Sequence, residues 1–431
     1  MTAAPLLAAF VTLIAAVFPP ADGAAWPQFR GPGGQGHAAA GADPPVEWGE
    51  DRNVAWAVDA PPGWSSPVVA DGRIYLTAAE PGGGGDYVLS ALCLNFADGA
   101  ELWRRDLFTQ PADAATHSKN SRATPTPTFA RLDDGETAAG SLFVHFGPKS
   151  TARLDAADGR VIWDRTDIDY APVHGAGASP VLTGTPGGPV LFFPCDGGAD
   201  PFVVALDAAT GVTRWRAERP DVGASRTFSF ATPLVIDVGG EAQIVSPASD
   251  QVLAYAPADG RAVWKADYSG FSVTPRPVFG RGKLFLSTSF MRPTVYAIDP
   301  AGAGDVTDSA VAWTLKRGGP NTPSPLLVGA ELYLVSDNGV ASCVDADSGA
   351  VVWTNRLGGD FSASPTYVPG GDAGPRIYWL DEDGVCTVTA AGREFRKLAT
   401  NRLPGRTLAS PAVVGDALLV RTDERLYRLE N

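Results

Sequence analysis

Along most of the chain, short runs alternate apolar positions with polar or small ones, the period-two pattern of half-buried strands. Arg73-Ile74-Tyr75-Leu76-Thr77 and Val203-Val204-Ala205-Leu206-Asp207 are two such runs. Two short signals alternate between them. The first is a small hydroxyl residue followed by proline: Ser66-Pro67, Thr126-Pro127, Ser179-Pro180, Thr232-Pro233, Thr274-Pro275, Ser324-Pro325, Ser364-Pro365 and Ser410-Pro411. The second is a turn with Trp four residues after its Gly, at Gly99/Trp103, Gly159/Trp163, Gly211/Trp215, Gly260/Trp264 and Gly349/Trp353. A stretched copy ends at Trp313, and a degenerate one runs from Gly392 to Phe395. Successive prolines lie between 40 and 60 residues apart, the repeat length of a four-stranded propeller blade.

Each signal has a physical role in such a blade. Asp caps the turn and Gly supplies a positive φ without steric cost. The Trp then falls on the outermost strand, where it can fill the seam between neighbouring sheets. The proline falls on the innermost strand, an edge at the central channel where a missing N–H breaks no ladder. Eight proline signals face only seven downstream aromatic ends, and a Trp-bearing strand at residues 53–58 stands alone at the front. The count predicts an all-β, eight-bladed β-propeller of four-stranded antiparallel blades, a single domain over residues 26–431 whose last blade residues 53–58 complete. Closing the ring with the two chain ends removes exposed sheet edges.

Composition agrees. Gly 49 and Pro 37 in 431 residues exclude long helices, while 45% hydrophobic residues supply a large core. The net charge of -14 disfavours nucleic acid as a partner. Pro5 to Phe18 is an uncharged apolar run followed by small residues, so residues 1–25 are expected to be an export signal cleaved near Ala24 or Ala25. No Lys or Arg precedes Arg30, a departure from the usual signal, and no Cys near the cleavage site offers a lipid attachment point. The expected location is periplasmic or secreted.

The repeat Ala205-Leu206-Asp207-Ala208-Ala209-Thr210-Gly211-Val212-Thr213-Arg214-Trp215 resembles the tryptophan-docking repeat of pyrroloquinoline quinone (PQQ)-type β-propellers. Trp26-Pro27-Gln28-Phe29-Arg30-Gly31-Pro32 and Gly63-Trp64-Ser65-Ser66-Pro67 further resemble exported PQQ-binding-like repeat proteins of the BamB-like and quinoprotein superfamily. The resemblance implies the propeller fold. For function it implies two classes, quinoprotein dehydrogenases and scaffolds such as the outer-membrane assembly factor BamB.

Quinoprotein alcohol dehydrogenases carry a disulfide between adjacent cysteines, and this chain has no Cys-Cys pair. Cys93, Cys343 and Cys386 each precede a turn Gly by six residues and are expected in equivalent slots of different blades, too far apart to be bridged. With Cys195 they read as small buried residues. The four histidines, His37, His117, His145 and His174, have no metal-ligand spacing. Asp345-Ala346-Asp347-Ser348-Gly349 and Asp381-Glu382-Asp383-Gly384 resemble calcium-loop starts but lack the closing bidentate Glu, and read as turns.

The loops before the Pro signals should converge on one mouth of the channel. They carry Trp64, His117, Lys119, Asn120, Arg122, His174, Arg226, Phe228, Phe271, Arg317, Asn321, Asp360, Phe361, Arg402 and Arg406. Six cations against one acid, with aromatics among them, suit an anionic or ring-containing ligand. Loop arginines equally serve to tie neighbouring loops together through carbonyls. The expectation is an exported, monomeric, non-catalytic propeller with a basic and aromatic mouth. It would need no cofactor and would bind an envelope protein segment or an anionic small molecule. The rival, implied by the resemblance, is a PQQ- and Ca²⁺-dependent dehydrogenase, which would need several carboxylate or amide ligands for calcium and an Asp base beside them; the loops offer Asn120, Asn321 and Asp360 but no carboxylate cluster.

Overall fold

The turn chemistry sets the register of the outer hairpins, as the Asp207 hairpin shows. At Asp207, the carboxylate accepts the Thr210 N–H at 2.8 Å and the Gly211 N–H closes onto the Asp207 carbonyl at 2.8 Å. Gly211 sits at φ 73°, and the ring of Trp163 from the preceding blade covers its Cα face at 2.7 Å from where a Cβ would lie. A side chain there would be both strained and crowded, which is why the turn ends in Gly.

The computed structural model describes residues 25–137, 139–221, 226–290 and 292–431. The expected export signal lies outside the described residues, apart from Ala25. Among the described residues there are eight sheets and no α-helix, so no helix there is long and apolar enough to cross a membrane. Blade 1 comprises Val68–Ala70, Arg73–Pro81, Tyr87–Asn95 and Glu101–Gln110; blade 2, Thr128–Ala130, Ser141–Gly147, Ser150–Asp155 and Val161–Arg165. Blades 3 and 4 begin at Val181–Thr183 and Leu234–Val238, blades 5 and 6 at Val278–Gly280 and Leu326–Val328, and blades 7 and 8 at Thr366–Val368 and Ala412–Val414. Blade 4 carries a fifth, parallel strand, Gly304–Asp305, formed by the insertion that stretches the blade 5 repeat. Blade 8 is completed by Val54–Asp59 beside Arg425–Leu429, with Trp56 opposite Arg428 and Val58 opposite Leu426.

The outer tryptophans lock the seams as expected. The indoles of Trp56, Trp103, Trp163, Trp215, Trp313 and Trp353 each donate to a carbonyl of the next blade, at 2.8–3.2 Å. Trp264, beside the insertion, bonds Gln243 of its own blade instead. Blade 7 departs from the expectation. Its bulge falls at Val388/Thr389, so Val388, opposite Ala399, takes the place that Cys343, opposite Trp353, holds in blade 6. Cys386 lies two residues earlier and is not in the equivalent slot, because Gly392 follows Ala390 by two residues whereas Gly349 follows Asp345 by four, so Gly392 is not the counterpart of the turn Gly. Phe395 is not a displaced outer Trp; it packs edge-on against Trp353 at 5.2 Å. All four cysteines are free and buried.

A second ring of bonds runs around the channel. The N–H of Ser66 donates to the hydroxyl of Thr126, and the pattern repeats from Thr126 to Ser179 and Ser179 to Thr232. It continues from Arg276 to Ser324, Ser324 to Ser364, Ser364 to Ser410 and Ser410 back to Ser66, every distance between 2.9 and 3.1 Å. This corrects the blade 5 signal. The inner strand follows Pro277, so Arg276-Pro277, not Thr274-Pro275, occupies the small-Pro position, and the relay skips there because Arg276 has no hydroxyl.

The segment ahead of blade 8's last strand crosses the channel. It bonds the middle residue of five inner strands: Trp26 with Val69, Pro27 with Phe129, Gln35 with Phe279, His37 with Leu327, and Gly36 and Ala38 with Tyr367. Trp48 then stacks on Tyr378. Replacing Trp56 by Ala removes both a seam bond and the cover of Gly99. It should lower unfolding stability by about 3 kcal/mol, measured as a fall in urea midpoint with unchanged slope.

Candidate functional site

The loops that precede the relay residues open as a funnel, and its cavity of about 470 Å³ lies over the relay. Ser66, Thr126, Ser179, Thr232, Ser324, Ser364 and Ser410 line its throat, and Phe29 of the crossing segment reaches it from the far side. Each relay hydroxyl accepts a backbone N–H, leaving its proton free to donate.

The wall over blades 2 to 5 is aromatic. His117 meets His174 edge-on at 5.4 Å, His174 meets Phe228 at 5.4 Å, Phe228 meets Phe271 at 6.0 Å, and Phe271 meets Phe290 at 5.5 Å. Phe230 packs beside Phe228. Burial, and then the neighbouring His117, hold the His174 pKa below its ordinary 6.5, so this ring is neutral at neutral pH. Phe290 is 55% exposed at the rim, an unusual position for a large apolar side chain.

Of the residues expected at the mouth, Trp64, Lys119, Asn120, His174, Phe228, Phe271 and Asn321 line the cavity, as does His117. Arg122, Arg226, Arg317, Asp360, Phe361 and Arg406 do not. The mouth is therefore less basic than its loop composition suggests. Arg122 donates to Gln110 and the Ala112 carbonyl and lies over Tyr87. Arg226 lies over the Phe271 ring at 4.2 Å. Arg317, Arg402 and Asp360 are exposed, while Phe361 is buried against blade 6 and blade 7 core residues.

Glu382 pairs with both remaining cations and offsets one of their two charges. Its carboxylate takes Lys119 at 2.7 Å, Arg406 at 3.2 Å and the Ser362 hydroxyl at 2.6 Å. Burial alone would raise its pKa, but the bonds from Lys119, Ser362 and Arg406 outweigh it and hold Glu382 below its ordinary 4.5. Asp381-Glu382-Asp383-Gly384 is a hairpin turn, with Asp381 accepting the N–H of Asp383 and Val385.

The polar groups of the wall are largely spent on the loops. Asp337 accepts the Asn321 N–H, the Thr322 N–H and the Thr322 hydroxyl. Asn120 bridges to the carbonyls of His174 and Ala176. The exception is Asn321, whose Oδ1 is buried with no hydrogen-bond partner. It is an acceptor waiting for a donor at the cavity wall.

Sequence reasoning missed Phe29, Phe230, Phe290, Asp337 and Leu408, which also line the cavity. Phe230 was discernible as the residue two beyond Phe228 in an extended loop, hence on the same side. Phe29 and Phe290 come from outside the loops that precede the proline signals, and no local pattern marks them.

Comparison with known proteins fits this architecture. Residues 38–167, 199–336 and 292–431 match the family model described as outer membrane protein assembly factor BamB. The chain belongs to this family. BamB from Moraxella catarrhalis shares 15% identity over 88% of this chain and 97% of its own, with a TM-score of 0.59. A europium-containing methanol dehydrogenase shares 12% over 96% and 91%, with a TM-score of 0.61. A quinohemoprotein alcohol dehydrogenase from Pseudomonas putida shares 12% over 97% and 81%, with a TM-score of 0.62. At these identities the likeness concerns the fold. No curated protein sequence matches this member of the family.

Replacing Glu382 by Gln frees Lys119 and Arg406. Because the native carboxyl is held below 4.5, its contribution is present above the unfolded pKa and is lost as pH falls through the native one. The variant should be about 1 kcal/mol less stable at pH 7, with a deficit that shrinks steadily as pH falls below 4.5, read from urea midpoints across that range.

Proposed function

We propose that this chain is a non-catalytic binding propeller of the cell envelope whose funnel receives an aromatic-bearing segment of a partner protein. The observation that carries the reading is the unbroken edge-to-face run from His117 through His174, Phe228 and Phe271 to Phe290. Such a wall offers ring edges and faces to an inserted aromatic or apolar side chain. The Asn321 Oδ1 and the throat hydroxyls are then available to a backbone N–H and a backbone carbonyl of that segment. An exposed apolar rim around a concavity is the usual mark of a recognition site. The apolar run Pro5 to Phe18 supports export, and membership of a family described by an outer-membrane assembly factor supports an envelope setting.

The quinoprotein reading fits these residues poorly. PQQ carries several carboxylates and its Ca²⁺ takes oxygen ligands. Lys119 is the one Lys or Arg among the described cavity-lining residues, and it is already paired with Glu382. Asp337 is the one cavity-lining carboxylate among them, and its oxygens already hold three donors. An anionic small molecule is disfavoured for the same reason.

The test is calorimetric titration of the purified chain with synthetic peptides that alternate aromatic and polar residues. Saturable binding weakened roughly tenfold or more in a Phe228→Ala/Phe271→Ala variant is the expected result. Saturable binding of PQQ with Ca²⁺, accompanied by dye-linked alcohol oxidation and no peptide affinity, would overturn the reading.

A further inference from the structure

Five arginines are buried to 2% exposure or less: Arg30, Arg153, Arg276, Arg376 and Arg421. A buried guanidinium is costly unless a carboxylate or a full set of acceptors replaces its water. Arg153 has Asp134 at 2.6 Å and Arg376 has Asp43 at 2.6 Å. Arg421 has no acid and an unpartnered Nε, but its two Nη atoms make four bonds, to the carbonyls of Ser65, Pro61 and Thr77 and to the Ser65 hydroxyl. Arg30 and Arg276 have neither solution. Arg30 donates only from Nη2, to the Gln35 carbonyl at 3.0 Å, and its Nε and Nη1 are buried without partners. Arg276 donates from Nη1 to the Phe29 carbonyl at 2.6 Å and reaches Gln28 Oε1 from Nη2 at 3.5 Å, while its Nε has no partner.

The two are also close enough to repel. Burial, and then Arg276, push the Arg30 pKa down to about 9, and burial pushes Arg276 down to about 9, so both remain cationic at neutral pH. No carboxylate among the described residues is paired with either one. The backbone is shaped around them: a Cβ on Gly34 would collide with the Arg276 guanidinium, and one on Gly36 would lie 2.7 Å from Arg30 Nη2. Arg276 further stands at the one relay position where the other seven blades place Ser or Thr. Its cost to the ring is a missing relay bond, and its presence there calls for a compensating charge.

We propose that Arg30 and Arg276 together bind a small inorganic anion of chloride size inside the channel, between the crossing segment and the inner strands. The unpaired Nε and Nη1 of Arg30 and Nε of Arg276 are its donors. A water molecule accepting these bonds would leave two like charges uncompensated in a buried site, whereas an anion answers both needs. The anion thereby fastens residues 28–36 to blade 5, so occupancy stabilises the closed channel by mass action.

The test compares thermal unfolding in about 0.2 M sodium chloride with the same concentration of sodium gluconate, whose anion is too bulky for the site. The parent should melt about 3 °C higher in chloride. That difference should vanish in Arg30→Gln and in Arg276→Ser, the second of which restores the residue type found elsewhere in the relay. Crystals grown in bromide should show an anomalous peak beside Arg30 Nε and Arg276 Nε in the parent protein. An equal chloride advantage in the parent and both variants, or ordered water without anomalous signal between the two guanidinium groups, would overturn the proposal.

Discussion

The closure of the ring by hydrogen bonds from seven of the eight inner-strand entries to a hydroxyl of the next blade is the constraint on which the rest of this molecule depends. A propeller whose first and last blades parted would expose two sheet edges and scatter the loops that make its mouth. Here closure operates at two radii. At the channel, the Ser410 N–H reaches the Ser66 hydroxyl and completes a relay that began at Ser66. At the rim, Val54–Asp59 adds the outer strand of blade 8, and Trp56 covers Gly99 of blade 1. Small side chains fill seven of the eight inner positions, where the strands converge, and hydroxyls are favoured because they satisfy N–H groups that belong to no ladder.

The same relay gives the funnel its character. It sets a narrow polar throat beneath an aromatic wall, while the crossing segment and Phe29 lie beneath it. Pairing of Lys119 and Arg406 with the one Glu382 carboxylate makes the mouth less basic than its loops suggest. Positive charge without acid is concentrated instead deeper in the channel, at Arg30 and Arg276. The molecule thus separates two environments along one axis, a ring-lined entrance and a buried cationic floor.

The fold was legible in the sequence because its signals answer local backbone demands. A turn needing positive φ under a Trp ring accepts only Gly, and the inner edge tolerates Pro, so counting them counted the blades. The failures arose where one signal had two candidate positions or where the partner was remote. Thr274-Pro275 and Arg276-Pro277 lie two residues apart, and only the position of Val278–Gly280 decides between them. Cys386 was misplaced because it was counted from Gly392, which does not hold the position of the turn Gly in the blade 7 hairpin. The paired state of Lys119 depends on Glu382, 263 residues away, and the contacts of Arg276 with Gln28 and Phe29 span nearly 250. Loop composition placed Trp64, Phe228, Phe271 and Lys119 at the mouth but did not show which loop arginines turn away from it or which cation is paired there.

Native-state hydrogen exchange of the backbone amides in Val54–Asp59 and Arg425–Leu429 tests ring closure most directly. The account predicts that their ladder amides open only with global unfolding, at the same free energy as the central strands of blades 3 and 4. Exchange of this pair at a clearly lower free energy, with the other blades still protected, would show that the ring opens at blade 8 and would contradict it.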